Sequence, residues 1–375
     1  MKRIVLYVIL SCLFLVSDPA MTCNVPVFRY ALERWAADNY EVFIFHRGAL
    51  SPGDRAVVDW LKQSSNTQIP YSNYIVHTFD LETELERPIR DFWKALGSPE
   101  VPYMAVFYPD NFWIKGTVWD GRLTADAVRT LIKSPVRTEI AKRILNGESA
   151  VWIFLESGNR EKDDAGADIL QTQLKSLEKS LTLPALTDAD TFNDYVIVNE
   201  NGPELHVAFS MIRLSRTDSA ESHFISMLMK SEPDLFEYSS YPMAFPVYGR
   251  GRILYALIGD GINENVIHKA CQFIIGPCSC IIKYDNPGVD ILMMTDWDSG
   301  IAGRWVEDVE LPTLTSLSEL AHIAASDENP GTNIEKIEIN EASSHLIRNI
   351  LLILVFFAVI TVILSLRIKW SGNKE

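Results

Sequence analysis

The residues best suited to chemistry lie close together late in the chain: His268, Cys271, Cys278 and Cys280. His268 and Cys271 are three apart, so on a helix they share a face, and Cys278-x-Cys280 follows in the next loop. Three soft sulfurs and an imidazole are a donor set for copper(I) or zinc, although the spacing is not that of a zinc finger. The same thiols could exchange with disulfides. A third reading is a structural staple: with Cys23 they form an even set of four, and outside the cytoplasm an even set favours disulfides. Four cysteines allow three complete pairings, and the sequence does not choose among them. Cys271 and Cys278 are close enough to bridge if the chain folds back, whereas Cys278 with Cys280 would close a strained ring.

Other chemistry is thinly represented. The Gly249-Arg250-Gly251-Arg252 turn could offer amides and guanidinium groups to an anion, but such a turn is more often a hairpin with solvated arginines, and it opens no helix as a dinucleotide loop must. Asp296 and Asp298 share one side of a strand if the period is two, which reads as a solvated strand end. The histidines show no His-x-x-x-His spacing and there is no Gly-x-Ser-x-Gly elbow, which disfavours a zinc protease or a serine hydrolase. No catalytic residue and no resident cofactor is expected.

The elements that must position these residues repeat in order. A helical rhythm at Val27, Tyr30, Ala31 and Trp35 precedes a strand at Glu41–Phe45, then a helix from Ser51 as N-cap with Pro52 at its first position. A strand at Tyr74–Phe79, a helix at Pro88–Leu96, a proline-led strand from Val101-Pro102 to Tyr108 and a strand at Phe112–Val118 follow. Trp119-Asp120-Gly121 reads as a turn into a helix from Thr124, with Ala127, Val128, Leu131 and Ile132 inward, that stops at Pro135. This order resembles the thioredoxin fold over about residues 41–145. The resemblance implies a cis-proline before the third strand, at Pro102, and a Cys-x-x-Cys pair after the first. The chain instead carries Gly48-Ala49-Leu50-Ser51-Pro52 there, so dithiol exchange is not expected at that position.

From Ser149 the pattern restarts: a strand at Ala150–Leu155, a charged loop at Glu156–Gly166, and a helix at Ala167–Leu181 with Ile169, Leu170, Leu174 and Leu177 inward. Strands at Tyr195–Asn199 and His206–Arg213, a helix at Ala220–Met229, a proline-led strand at Tyr241–Tyr248, a strand at Ile253–Ile258 and a helix at Asn263–Ile274 complete it. Val101-Pro102-Tyr103-Met104-Ala105 aligns with Tyr241-Pro242-Met243-Ala244, and Asp120-Gly121 with Asp260-Gly261, as an internal duplication predicts. By that alignment Pro242 would be the second cis-proline. The second copy has Ser157-Gly158-Asn159-Arg160 where a thiol pair would stand. A further strand is expected at Val289–Thr295. The segment CNVPVFRYALERW and the later GPCSC are similar to a group of uncharacterised bacterial envelope proteins with a signal and a C-terminal anchor.

The ends and the composition agree with that location. Lys2-Arg3, the apolar run Ile4–Val16 and small residues up to Cys23 form the three-part pattern of a secretory signal. Lipidation of Cys23 is an alternative fate, although Ala20 stands where a lipobox prefers a large aliphatic residue. Ile350–Leu366, broken only by Thr361 and Ser365, is long enough to cross a bilayer and is followed by Arg367, Lys369 and Lys374, which predicts a cytoplasmic tail. The 375 residues, 47% of them hydrophobic, allow two cores, and a net charge of −15 disfavours a nucleic-acid partner. The organisation expected is α/β: a signal over 1–22, tandem thioredoxin-like domains over 23–148 and 149–300, an acidic stalk over 301–345, a single transmembrane helix over 346–368 and a tail over 369–375. The function expected is a single-pass protein of the bacterial inner membrane, its bulk periplasmic, that binds an envelope partner. The alternative is a thiol- or copper-handling protein using Cys271, Cys278 and Cys280.

Overall fold

The structure is a computed structural model that describes residues 23–69, 71–109, 116–185, 196–198, 203–278, 283–304 and 306–308. The expected signal, transmembrane helix, tail and most of the stalk lie outside these residues, as does Cys280. Among the described residues no helix is long and apolar enough to cross a membrane.

The first part of the chain runs β1 (Cys23–Pro26), α1 (Val27–Arg34), β2 (Tyr40–His46), α2 (Pro52–Gln63), β3 (Tyr74–Asp80), α3 (Arg87–Ala95), β4 (Tyr103–Phe107), β5 (Thr117–Arg122), α4 (Ala125–Ile132) and α5 (Pro135–Leu145). The second runs β6 (Ala150–Leu155), α6 (Arg160–Ser180), β7 (Val196–Val198), β8 (Phe209–Leu214), α7 (Ser222–Met229), β9 (Met243–Tyr248), β10 (Arg252–Ile253), β11 (Leu257–Ile258), α8 (Glu264–Ile275), β12 (Pro277–Cys278), β13 (Val289–Asp290), α9 (Trp297–Gly300) and β14 (Val306–Asp308). The fold is thus mixed α/β with several sheets.

The first sheet has the order β3-β2-β4-β5, with β3 parallel and β4 antiparallel to β2. In the second, β6 lies between parallel β8 and antiparallel β9, and β10 and β11 both pair with β9. Order and direction therefore repeat, and each parallel pair is bridged by a helix, α2 or α6, as parallel pairing requires. The Val101-Pro102 peptide is cis, and it is the cis bond among the described residues, so Pro242 lacks the feature its alignment predicts.

The two sheets are not separate bodies. Strand β6 is buried along its whole length, and its alternating side chains go to two cores. Val151, Ile153 and Leu155 join Val42 and Ile44 of the first sheet, with Leu131, Ile140 and Phe224 from α4, α5 and α7 in the same cluster. Ala150, Trp152 and Phe154 face Leu170 and Leu174 of α6, Ile267 and Ile274 of α8, and Phe28 and Ala31 of α1. The first described helix therefore belongs to the second core, and a boundary at residue 148 does not divide the packing. At the far end, Val306–Asp308 pairs with Val196–Val198, so the first residues assigned to the stalk are part of the fold.

Several local expectations give way to hydrogen bonding. Helix α6 starts inside the expected charged loop, because the Asn159 side chain accepts from Lys162 N and Asp163 takes the amides of Ser157 and Gly158 at 2.8 and 3.0 Å. Its exposed member is Ile169, 44% accessible, one residue off the Leu170–Leu174–Leu177 stripe. Asp120-Gly121 is strand rather than turn: Gly121 pairs with Met104, and Asp120 accepts from Tyr103 and Thr117. Pro135 opens α5 instead of closing the helix before it, with Ser134 as cap. The Ser51 cap and Pro52 of α2 stand as expected. Asn159→Ala is expected to cost about 1 kcal/mol, read as a lower urea midpoint at unchanged slope.

Candidate functional site

The cysteine cluster predicted from sequence does not assemble among the described residues. Cys271 is fully buried on α8, Cys278 is buried in β12, and the two are not bridged to each other. His268 is half-buried on the same helix. Among the described residues no three metal-binding side chains converge. Burial pushes the Cys271 thiol well above its usual range, which removes the thiolate that exchange or metal binding requires.

The arginine hairpin and the carboxylate pair are structural. Gly251 has φ +91°, and a Cβ there would sit 2.7 Å from Met293 Cγ, so the turn needs glycine. Arg250 donates to Leu32 O at 2.8 Å and to Asp298 at 2.7 Å. Arg252, expected in solvent, is 3% exposed and donates to Asp290 Oδ1 at 3.0 Å and Asn286 O at 2.9 Å. The strand expected at Val289–Thr295 is only the two residues of β13, and Asp296 caps α9, its side chain accepting from Ser299 N. The pairing with Arg250 holds the Asp298 carboxyl below its ordinary value.

A different place has the build of a site. The first sheet packs one face, through Tyr40, Val42, Ile44, Met104 and Val106, into the shared core. On its other face the period-two alternation puts Phe43 and Phe45 of β2 beside His77 and Phe79 of β3 and Phe107 of β4. Phe43 is the centre of this grid, with ring centroids 5.0 Å from Phe79, 4.8 Å from Phe107 and 5.4 Å from His77. Helix α3 covers only part of the face: Trp93 stacks on Phe45 at 4.8 Å and Phe92 meets Phe107 at 4.9 Å.

The uncovered part is an open cleft of about 1000 Å³ floored by Phe43, Phe79, Phe92 and Phe107. Its described rim carries Glu41, Asp80, Glu84 and Glu86, and no lysine or arginine lines it. His77 Nε2 meets Glu41 Oε2, with the imidazole 43% exposed. Amides of Gly48 and Glu82 donate to Asp80 at 2.9 and 3.0 Å and depress its carboxyl, so it stays charged. Half-buried ring faces inside a carboxylate rim attract a cation that has apolar neighbours. The described lining holds no serine, cysteine or lysine nucleophile.

None of these residues stands out singly in the sequence. The available signal is the spacing of aromatic residues, Phe43-x-Phe45, His77-x-Phe79 and Tyr103-x-x-x-Phe107, on strands whose opposite face carries Tyr40, Val42, Ile44, Tyr74, Met104 and Val106.

No family model and no curated protein matches the chain. A solved structure titled "Crystal structure of full-length ERdj5" is similar at 10% identity and a TM-score of 0.19, over 70% of this chain and 33% of that one. The chain thus spans about a third of the length of that structure.

Proposed function

We propose that the protein is a non-catalytic binding component of the bacterial envelope, built from two degenerate thioredoxin-like halves and held at the inner membrane by its C-terminal helix with the bulk periplasmic. Its working surface is the cleft of the first sheet, which takes an extended segment of a partner protein carrying alternate cationic and apolar side chains. The observation that carries this reading is the joint presence of an aromatic floor and, among the described residues, a rim whose charged groups are carboxylates, on a sheet face that the described helices leave open. The absence of a thiol pair at Gly48–Pro52 supports a role in binding rather than exchange.

Fluorescence titration of the detergent-purified chain with an extended Lys/Phe-alternating peptide tests it. Saturable binding is expected, weakened by salt and about tenfold weaker in Glu84→Lys/Glu86→Lys, a loss of about 1.4 kcal/mol. Equal binding of a Glu/Phe peptide, or none of either, would overturn the reading. Protease digestion of spheroplasts tests the placement: the bulk of the chain should be cut without lysis.

A further inference from the structure

The backbone pairing of β1 with β12 sets Cys23 directly opposite Cys278. Opposed residues of antiparallel strands have Cα atoms about 4.5–5.5 Å apart, inside the span that a disulfide bridges. Beyond an irregularity in the register, Pro26 pairs with Pro277 and Val27 N donates to Gly276 O at 2.9 Å, so the two strands stay joined on the helix side of the cysteine pair. Cys278 is 1% exposed, and it is not bridged to Cys271, its nearest cysteine toward the N-terminus.

We infer that Cys23 and Cys278 form a disulfide that fastens β1 to β12, just after α8. Of the partners that Cys23 could take among Cys271, Cys278 and Cys280, the strand register places Cys278 opposite it. The step is thiol–disulfide exchange: one thiolate attacks an external disulfide, protein or glutathione, and the second displaces the resulting mixed disulfide. The two cysteines lose two electrons and two protons, and the oxidant leaves as two thiols. The bond consumes the Cys23 sulfur and so excludes its lipidation. It also anchors β1 and α1, which supply Val25, Phe28 and Ala31 to the second core. Its formation in cells rests on the proposed periplasmic placement, but the pairing itself does not.

The test is peptide mapping of the full chain, purified without reductant, alkylated and digested, with and without later reduction. A linked pair of peptides containing Cys23 and Cys278 should disappear on reduction and re-form when the reduced chain is returned to a glutathione redox buffer. Cys271→Ser should keep the pair, and Cys23→Ser should lose it. A link from Cys278 to Cys271 or Cys280, a diacylglycerol mass on Cys23, or alkylation of both thiols after oxidation with glutathione would overturn the assignment. Thiols reduced in cells that still form the pair in the glutathione buffer would instead sink the periplasmic placement.

Discussion

Asp290→Ala is expected to lower the stability of the fold by about 3–5 kcal/mol, the cost of breaking a buried ion pair by removing its carboxylate. The side chains of Arg252 and Asp290 are each 4% exposed, and their contact is 3.0 Å. Asp290 also meets Lys283 Nζ, accepts from Asp38 N at 2.8 Å, and offers its own carbonyl to the Tyr40 hydroxyl at 2.8 Å. One carboxylate therefore gathers β10, β13, the loop before β13 and the connection into β2. Removing it takes from Arg252 the carboxylate 3.0 Å away, and the bonds to Asn286 O and Pro287 O, being to neutral carbonyls, do not replace that charge. Replacing both partners, Arg252→Met with Asp290→Leu, is expected to recover most of the loss, because two apolar side chains remove the unpaired charge. Urea unfolding of the two single variants and the double variant gives the cycle. A loss under about 1 kcal/mol in Asp290→Ala would show that the cluster is solvated and does not join the two sheets.

Acid is expected to destabilise the protein between about pH 6.5 and pH 4 through His223. This residue is 2% exposed, tilts against Trp119 at 4.6 Å, and meets Thr130 Oγ1 at 2.8 Å through Nδ1. Burial first, and the Arg137 guanidinium second, lower its pKa from 6.5 to about 4. The unfolded chain then binds the proton at a higher pH than the native one, so stability is full above the unfolded value and falls as pH drops toward the folded value. The loss amounts to about 3 kcal/mol at 1.36 kcal/mol for each unit. His223→Leu should flatten that part of the stability–pH curve while lowering the plateau, since the bond between Thr130 Oγ1 and Nδ1 and the contact with Trp119 are lost. An unchanged slope in the variant would assign the acid sensitivity elsewhere.

The elements were legible where one local rule dominates. Ser51-Pro52 and Asn263 marked helix starts because an N-cap side chain satisfies amides within its own turn. The apolar run Ala150–Leu155 marked a strand, which the structure buries on both faces. Boundaries failed where a distant partner outbid the local signal. Asp120-Gly121 reads as a turn until the Tyr103 hydroxyl reaches Asp120 from the neighbouring strand. Arg252 reads as solvated until Asp290, far along the chain, closes over it.

The sequence by itself determined the repeated strand and helix order, the missing thiol pairs and the apolar character of both ends, because each is written in composition or in a short periodicity. Only the tertiary structure decided where the cysteines stand. Cys271 and Cys278, seven residues apart, are buried and not bridged to each other, while Cys23 comes opposite Cys278 because α1 crosses to the second core. The structure alone also showed the cleft, since its floor draws on β2, β3, β4 and α3, and no spacing within one segment encodes a face assembled from four. The physical reason is the same for both. Helix caps and strand alternation act over a few residues, whereas pairing register and shared cores are set by surfaces that meet only once the chain has folded.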